Sequence, residues 1–402
     1  MRRLAQFTIF KKSTSLALLL SLLVILPACS TFGPRVAVPE SLTARAILPS
    51  LADVRFYADA PPLSDAELKE IAIPLKERMR AHPDTNRTWD VLSLSGGGSD
   101  GAFGAGLLNG WSRSGRRPKF DVVTGVSTGA IIAPFAFLGP AYDPQLKEIY
   151  TTLSTEKVLQ ANILSGLFGG TALADNSKLA MMIAKYATAD LLAKIGQEYL
   201  KGRFLLIGTS ELDSQRGIIW DIGMLANSNH PQKLELFRKI ILASTSIPGA
   251  FPPVQFDVVA DGNVYNELHV DGGISSQVFL YPPAFSPRRL DALLGVKRKR
   301  RVFVIRNARV TPQYDVTEAK LLAISSRSIS TLIKNQGIGD LYRVYALARR
   351  DGLDYNLAYV PPSFTMKEQD VFDTKYMRAL YKVGEQMGRT GNFWHKSPFI
   401  LD

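Results

Sequence analysis

The sequence predicts an α/β fold, a mainly parallel central sheet with helices packed on it. Two observations carry this. From Trp89 onward, strand-like and helix-like segments alternate at the spacing of strand, crossover and parallel strand. The early strands also run into glycine-rich turns that open apolar helices, which is how a parallel sheet collects its chemistry at one edge. The composition agrees, with 46% of the 402 residues hydrophobic and 21% charged, an ordinary globular balance.

The N-terminal segment stands apart from the fold. Arg2, Arg3, Lys11 and Lys12 precede the apolar run Leu16 to Leu26, about half the length a bilayer-spanning helix needs. That order is a secretory signal over residues 1–28. "LPAC", Leu26 to Cys29, comes next and resembles the lipobox of bacterial lipoproteins, with Pro27 an uncommon variable residue. Cys29 is the only cysteine, which suits an exported chain without disulfides whose thiol is consumed by lipidation. Acyl chains there would hold the protein on a membrane, and Ser30 fits sorting to the outer membrane of a Gram-negative cell. Without residues 1–28, 44 basic residues face 36 acidic ones. The sharpest basic cluster, Lys297 to Arg301, precedes an apolar strand and reads as a solvated strand start, so no nucleic-acid partner is expected.

Residues 29–88 read as a lipid-anchored tether with one short helix, started by a Ser64–Glu67 capping box and interrupted or kinked at Pro74. A catalytic domain is expected over 89–310. In it "WDVLSLS" and "FDVVTGV" are strands, while "GAFGAGLLNGWSRSG" and "TGAIIAPFAFLG" are helices. Tyr142 to Tyr199 is largely helical, either a cap or plain packing. "RFLLIGTSELDSQRGIIWDIG" makes two strands around a turn at Asp213 to Gly217. "KLELFRKIILASTS" is a helix, "IPGAFPPV" a loop, "NELHVDGGI" a strand ending in a turn, and "RVFVIRN" a strand. Residues 311–402 form a mostly helical extension packing on the same domain.

Three glycine-flanked motifs carry the chemistry. Gly96 to Gly101 satisfies G-x-G-x-x-G, and Asp121 lies 20 residues on, where a dinucleotide-binding unit has its ribose acid. Asp121, however, precedes its strand and so falls at the wrong edge of the sheet. Gly125-Val126-Ser127-Thr128-Gly129 is G-x-S-x-G between a strand and an apolar helix, the context of a nucleophile elbow. Ser127 needs a base. His82 precedes the sheet, His230 sits in a polar loop, and His395 would be a late base in the Ser, Asp, His order. Asp271 in "HVDGG" is the stronger candidate, a carboxylate leaving a strand where Gly272 and Gly273 permit a sharp turn. His269 shares its strand face and either assists Asp271 or is a partly exposed structural histidine.

"SGGGSDG", "GVSTG" and "DGG", in this order with "ASTSIPGAFPPV" between the last two, resemble the patatin-like phospholipases over roughly Trp89 to Asn307. The resemblance implies a patatin-like three-layer fold and a Ser-Asp dyad hydrolysing lipid acyl esters, with Ser127 as nucleophile and Asp271 as base. No metal, nucleotide or other cofactor is implied. Gly96, Gly97 and Gly98 then bring backbone N–H groups to the ester oxyanion. Gly101, Gly104 and Gly106 allow the following helix to pack on the sheet, and Gly125 and Gly129 make room for the elbow. One departure stands out: the family commonly has Arg or Lys where this chain has Asp100. The expected function is a serine acyl hydrolase of phospholipase A or lysophospholipase type. The alternatives are a Ser-His-Asp esterase, a dinucleotide binder, and a non-catalytic lipoprotein that keeps the fold.

Overall fold

The computed structural model describes residues 35–80, 88–158, 160–161, 172 and 174–398; the signal segment, Cys29 and His82 lie outside them. Its centre is a nine-stranded mixed sheet. The strands in chain order are β1 (Arg55–Tyr57), β2 (Trp89–Leu94), β3 (Val122–Val126), β6 (Phe204–Glu211), β7 (Arg216–Asp221), β8 (Val254–Ala260), β9 (Asn263–Asp271), β10 (Arg300–Arg306) and β11 (Leu353–Tyr359). A separate two-stranded ribbon pairs β4 (Gln160–Ala161) with β5 (Ala174–Asp175). The order β11-β10-β2-β3-β6 is parallel throughout, and β7, β1, β9 and β8 extend it antiparallel.

Alternation along the buried strands feeds two helical layers. On β10, Phe303 and Ile305 join the larger core, whereas Val302 and Val304 join a second core on the other face. The first layer comprises α2 (Gly101–Arg113), α3 (Thr128–Leu138), α4 (Asp143–Thr152), α6 (Ser177–Tyr186), α7 (Ala189–Tyr199), α8 (Ile222–Asn227), α9 (Lys233–Ser244) and α12 (Thr374–Thr390). The four-residue α5 (Thr155–Val158) lies between α4 and α6 in the chain. The second layer is α11 (Leu321–Asp351), whose Leu341, Val344 and Leu347 cover β10 and β11, together with α1 (Asp65–Arg80) and α10 (Pro287–Leu294). This is the α/β sheet with packed helices expected from the alternation, in the three layers that the family resemblance implies. Among the described residues no helix is long and apolar enough to cross a membrane.

Several sequence expectations are corrected. The stretch read as a tether enters the sheet: β1 pairs with β7, and Ile47 bridges Val259. The capping box forms as expected, Ser64 N–H donating to Glu67 at 2.7 Å and Glu67 N–H to Ser64 Oγ at 3.2 Å. Pro74 does not interrupt α1, which runs unbroken through it while Ala72 and Leu75 dock on Leu290 and Leu294. The C-terminal extension is not only helical, since β11 adds a parallel edge strand beside β10. The segment after the proline loop, which carries no strand signal read above, is β8 and forms a hairpin with β9. Gly104 does face the sheet at Ile305, but Gly106 faces the backbone of α12 at Tyr381.

The pairing of β6 sets the site. β3 accompanies β6 only as far as Val126 opposite Gly208. Beyond that point β6 continues, and β9 takes over with Asp271 opposite Thr209. The first residue after β3 and the last residue of β9 therefore meet beside one strand.

Candidate active site

Ser127 sits at that junction with φ 55° and ψ −125°, a conformation rare for a residue with a side chain, and on the order of 1–3 kcal/mol of strain is typical there. The surroundings enforce it. The carbonyl of Gly129 occupies the place a Cβ on Gly125 would take, and the carbonyl of Leu94 does the same at Gly129. These contacts fix the tight passage from β3 into α3. Ser127 N–H donates to Ser244 Oγ at 3.0 Å, and Ser244 in turn donates to Gly208 O at 2.6 Å. The hydroxyl of Ser127 is thus left for Asp271 at the start of a helix whose first N–H groups bear partial positive charge.

Asp271 is buried and its backbone N–H is held by Ser246 O at 2.9 Å. Its carboxylate accepts from Gly273 N–H at 2.7 Å and from the Ser127 hydroxyl. Burial pushes it up to about 6, and the two hydrogen bonds work against that rise. It is a stronger base than a surface aspartate and still ionised at neutral pH. Gly272 packs on Gly208 O and Gly273 on Gln277, so the turn after Asp271 admits no side chain without displacement.

The glycine loop lies across from this pair, with the Cβ position of Gly96 3.2 Å from Ser127 Cβ. The three expected oxyanion donors reduce to two. Gly96 N–H already donates to Gln277 O at 2.9 Å, a bond that pins the loop and removes that amide from the set. Gly97 and Gly98 remain. A Cβ on Gly97 would run into the Asn307 carbonyl, and Gly98 has φ 54°. Gly101 faces Thr128 and Tyr150, at the junction of α2 with α3.

Four residues of this site were not anticipated as functional. Asn307 clamps the loop, accepting from Gly104 N–H at 3.1 Å and donating to Ser95 O at 2.8 Å. Arg306 is buried and donates to Gly96 O at 3.3 Å and Gln277 Oε1 at 3.2 Å; burial lowers it to about 10. Ser244 and Gln277 complete the set. Asp100 accepts from Tyr376 at 2.5 Å, and burial pushes its carboxyl up to about 6. It is held by a partner on α12.

The described histidines lie elsewhere. His269 is fully buried, not partly exposed: Nδ1 meets Thr209 Oγ1 at 2.9 Å, Nε2 meets Glu267 at 3.0 Å, and the ring packs on Trp220 and Phe256. Arg55 of β1 pairs with the same Glu267. His395 stacks on Tyr359 of β11, three strands from β3, and His230 accepts from Gln232 N–H in its own turn. Asp121 precedes β3, away from the glycine loop, and accepts from Asp90 N–H at 2.9 Å. Arg300 and Arg301 pair with Asp291 and Asp90 as strand-start residues. A cavity of about 710 Å³, largely apolar, lies under β6 and β7. It reaches Val126 and Gly272, the neighbours of Ser127 and Asp271, without either side chain lining it.

Residues 92–284 match a family model described as Patatin-like phospholipase. No curated protein matches the chain. Among solved structures it is similar to the crystal structure of VipD from Legionella pneumophila, with a TM-score of 0.37 and 11% identity. That similarity covers 76% of this chain and 66% of the other, just under two thirds of its length.

Proposed function

We propose that this chain, a patatin-like phospholipase family member through residues 92–284, cleaves acyl esters of membrane lipids with a Ser127–Asp271 dyad. The family consists of lipid acyl hydrolases; the dyad, the cleavage type and the membrane tether are our reading. The observation that carries it is the hydrogen-bonded meeting of a strained serine and a buried aspartate of raised basicity at the end of β3.

Ser127 Oγ attacks the ester carbonyl as Asp271 takes its proton. The Gly97 and Gly98 N–H groups, backed by the start of α3, stabilise the oxyanion that forms. Collapse expels the alcohol, which receives the proton from Asp271 and leaves an acyl group on Ser127. Water then attacks the acyl carbonyl as Asp271 accepts its proton, and the second oxyanion in the same place collapses by breaking the bond to Ser127 Oγ, which takes the proton back from Asp271 and frees the fatty acid. A histidine base has no support here, since His269 is committed to Glu267 and Thr209. We further propose an exported protein tethered through Cys29 to the membrane that holds its substrate, in the outer membrane of a Gram-negative cell.

Fatty acid release from phospholipid vesicles tests this, using the form that begins after Cys29 beside Ser127→Ala and Asp271→Asn. The expected result is release by the native protein and loss in both folded variants. A native protein that releases nothing and takes no phosphonate label at Ser127 would sink the proposal in favour of a non-catalytic scaffold.

A further inference from the structure

The cations on the far side of the glycine loop are arranged in a way the dyad does not use. Arg306 ends β10 against Gly96 O, and its guanidinium fills the space beside Gly337 of α11. One turn before Gly337 stands Lys334, and two turns further back Arg327. Arg309 follows β10 by three residues. These side chains bond only to carbonyls: Arg309 to Phe364 O and to Met366 O at 3.3 Å, Arg327 to Gln313 O at 2.5 Å, and Lys334 to Thr311 O. Among the described residues none of the three is in an ion pair, and Arg309 Nε is buried with no partner.

The neighbouring carboxylates are committed. Asp100 is held by Tyr376, Asp315 by Lys367 at 3.0 Å, and Asp340 by Arg343 and the Gln277 N–H. Glu368 accepts from Phe372 N–H at 3.1 Å. The Lys334 ammonium is held below its ordinary value by burial and then by Arg327, Arg309 and Arg306, so these charges sense one another. Asp100 and Asp340 act on Arg306, Asp100 on Arg309 and Asp315 on Arg327, but none of these carboxylates bonds to Arg309, Arg327 or Lys334, and gathered cations whose direct partners are neutral carbonyls favour a bound anion.

Resting on the acyl-hydrolase reading, we infer that Arg309, Arg327 and Lys334 form a subsite for the phosphate of an anionic phospholipid, with Arg306 joining it to the glycine loop. The phosphate of a phospholipid lies one glycerol unit from the ester. With Arg306 touching Gly96, next to the oxyanion amides, a phosphate beyond it meets the cluster while the carbonyl meets Gly97 and Gly98. Guanidinium groups match phosphate oxygens as paired donors. A zwitterionic head group would bring its ammonium toward the same cations and be repelled, so the subsite selects phosphatidylglycerol-like lipids over phosphatidylcholine. Arg327 and Lys334 are positioning and specificity residues; neither touches the reacting atoms.

The test uses the full chain in neutral detergent micelles carrying a low mole fraction of phosphatidylglycerol, phosphatidylcholine or diacylglycerol, which removes the surface potential of an anionic bilayer. The native chain is expected to prefer phosphatidylglycerol. Arg327→Gln and Lys334→Gln should each lower its kcat/KM relative to that for diacylglycerol by about tenfold, through KM, with recovery in Lys334→Arg. Equal loss on all three lipids, or no native preference, overturns the subsite while Ser127-dependent diacylglycerol cleavage leaves the dyad standing. Should no ester be cleaved, the dyad reading fails, and equilibrium binding of the micellar lipids decides the subsite. Tighter binding of phosphatidylglycerol that Lys334→Gln abolishes supports it, and equal binding of the two phospholipids overturns it. Inorganic phosphate is the remaining arm: competition as strong as that by phosphatidylglycerol would mean a site for free anion and would also overturn the assignment.

Discussion

Asp271→Asn is expected to stabilise the fold while removing turnover, and the size of the gain follows from the carboxyl's environment. In the unfolded chain Asp271 ionises near the ordinary 3.8; in the fold, burial moves this to about 6. The folded state therefore keeps a proton that the unfolded state has already released. Below about 3.8 both states are protonated and Asp271 contributes nothing. As pH rises toward 6, stability falls by about 1.4 kcal/mol per pH unit, and above 6 the native fold carries the full cost, about 3 kcal/mol. Asparagine does not ionise. Its Oδ1 can still accept from Gly273 N–H and its amide can still donate to Ser127 Oγ, so the packing survives. Denaturant unfolding of native and Asp271→Asn proteins at mildly acid and mildly alkaline pH gives the difference directly. The variant should be more stable at alkaline pH by about 1–3 kcal/mol, with the gap closing toward acid. A variant no more stable than native at alkaline pH, or a gap indifferent to pH, would refute the claim that burial costs the fold an ionised carboxylate here.

The same carboxyl shapes the rate. As pH climbs to about 6, kcat/KM should rise about tenfold per pH unit and then level, because only the carboxylate accepts a proton; a midpoint near the ordinary 3.8 would mean that Asp271 is not desolvated. Ser244→Ala leaves Ser127 N–H and Gly208 O without their partner and should cost about 1–3 kcal/mol of stability. It should also lower kcat more than it raises KM, and steady-state kinetics with an unchanged kcat would remove Ser244 from the support of the elbow. Gly97→Ala forces a methyl against the Asn307 carbonyl, and the displaced loop should lose about 10²- to 10³-fold in kcat. A folded Gly97→Ala protein of native rate would show that the oxyanion is held elsewhere.

Much of the scaffold is legible in the sequence because its signals are local. β2, β3, the β6–β7 hairpin and the α1 cap announce themselves through apolar runs, a turn at Asp213 to Gly217 and the Ser64–Glu67 spacing. The missed strands lack such signals. β1 has three residues, too few for any period, and β11 follows a 31-residue helix that makes the whole C-terminal stretch read as helical. β8 alternates between buried and outward positions but hides behind a proline loop. Pro74 misled because the sequence cannot show which neighbour a helix docks on. At the site, Arg306 and Asn307 carried a readable sign, a polar pair ending an apolar strand at the active edge. Gln277 carried none, and which of three adjacent glycine amides is already bonded is a property of the folded loop alone.

The motifs name Ser127 and Asp271, but strand length is what brings them together. A β6 that ended with β3 would offer β9 no edge, and Asp271 would have no reason to arrive beside Ser127; the three further residues, Thr209 to Glu211, supply that edge. β9 is in turn held by the buried Glu267, which β1 reaches through Arg55 and which His269 links to Thr209. The histidine that looked like a rival base therefore belongs to the frame that registers Asp271. Charge at the glycine loop follows the same logic. Asp100, where the resemblance leads one to expect a cation, turns to Tyr376 and has its carboxyl raised by burial, while the buried guanidinium of Arg306 reaches the loop from the end of β10. A positive group thus stands beside the loop from a neighbouring strand, so under the proposed mechanism the oxyanion amides do not face an uncompensated carboxylate.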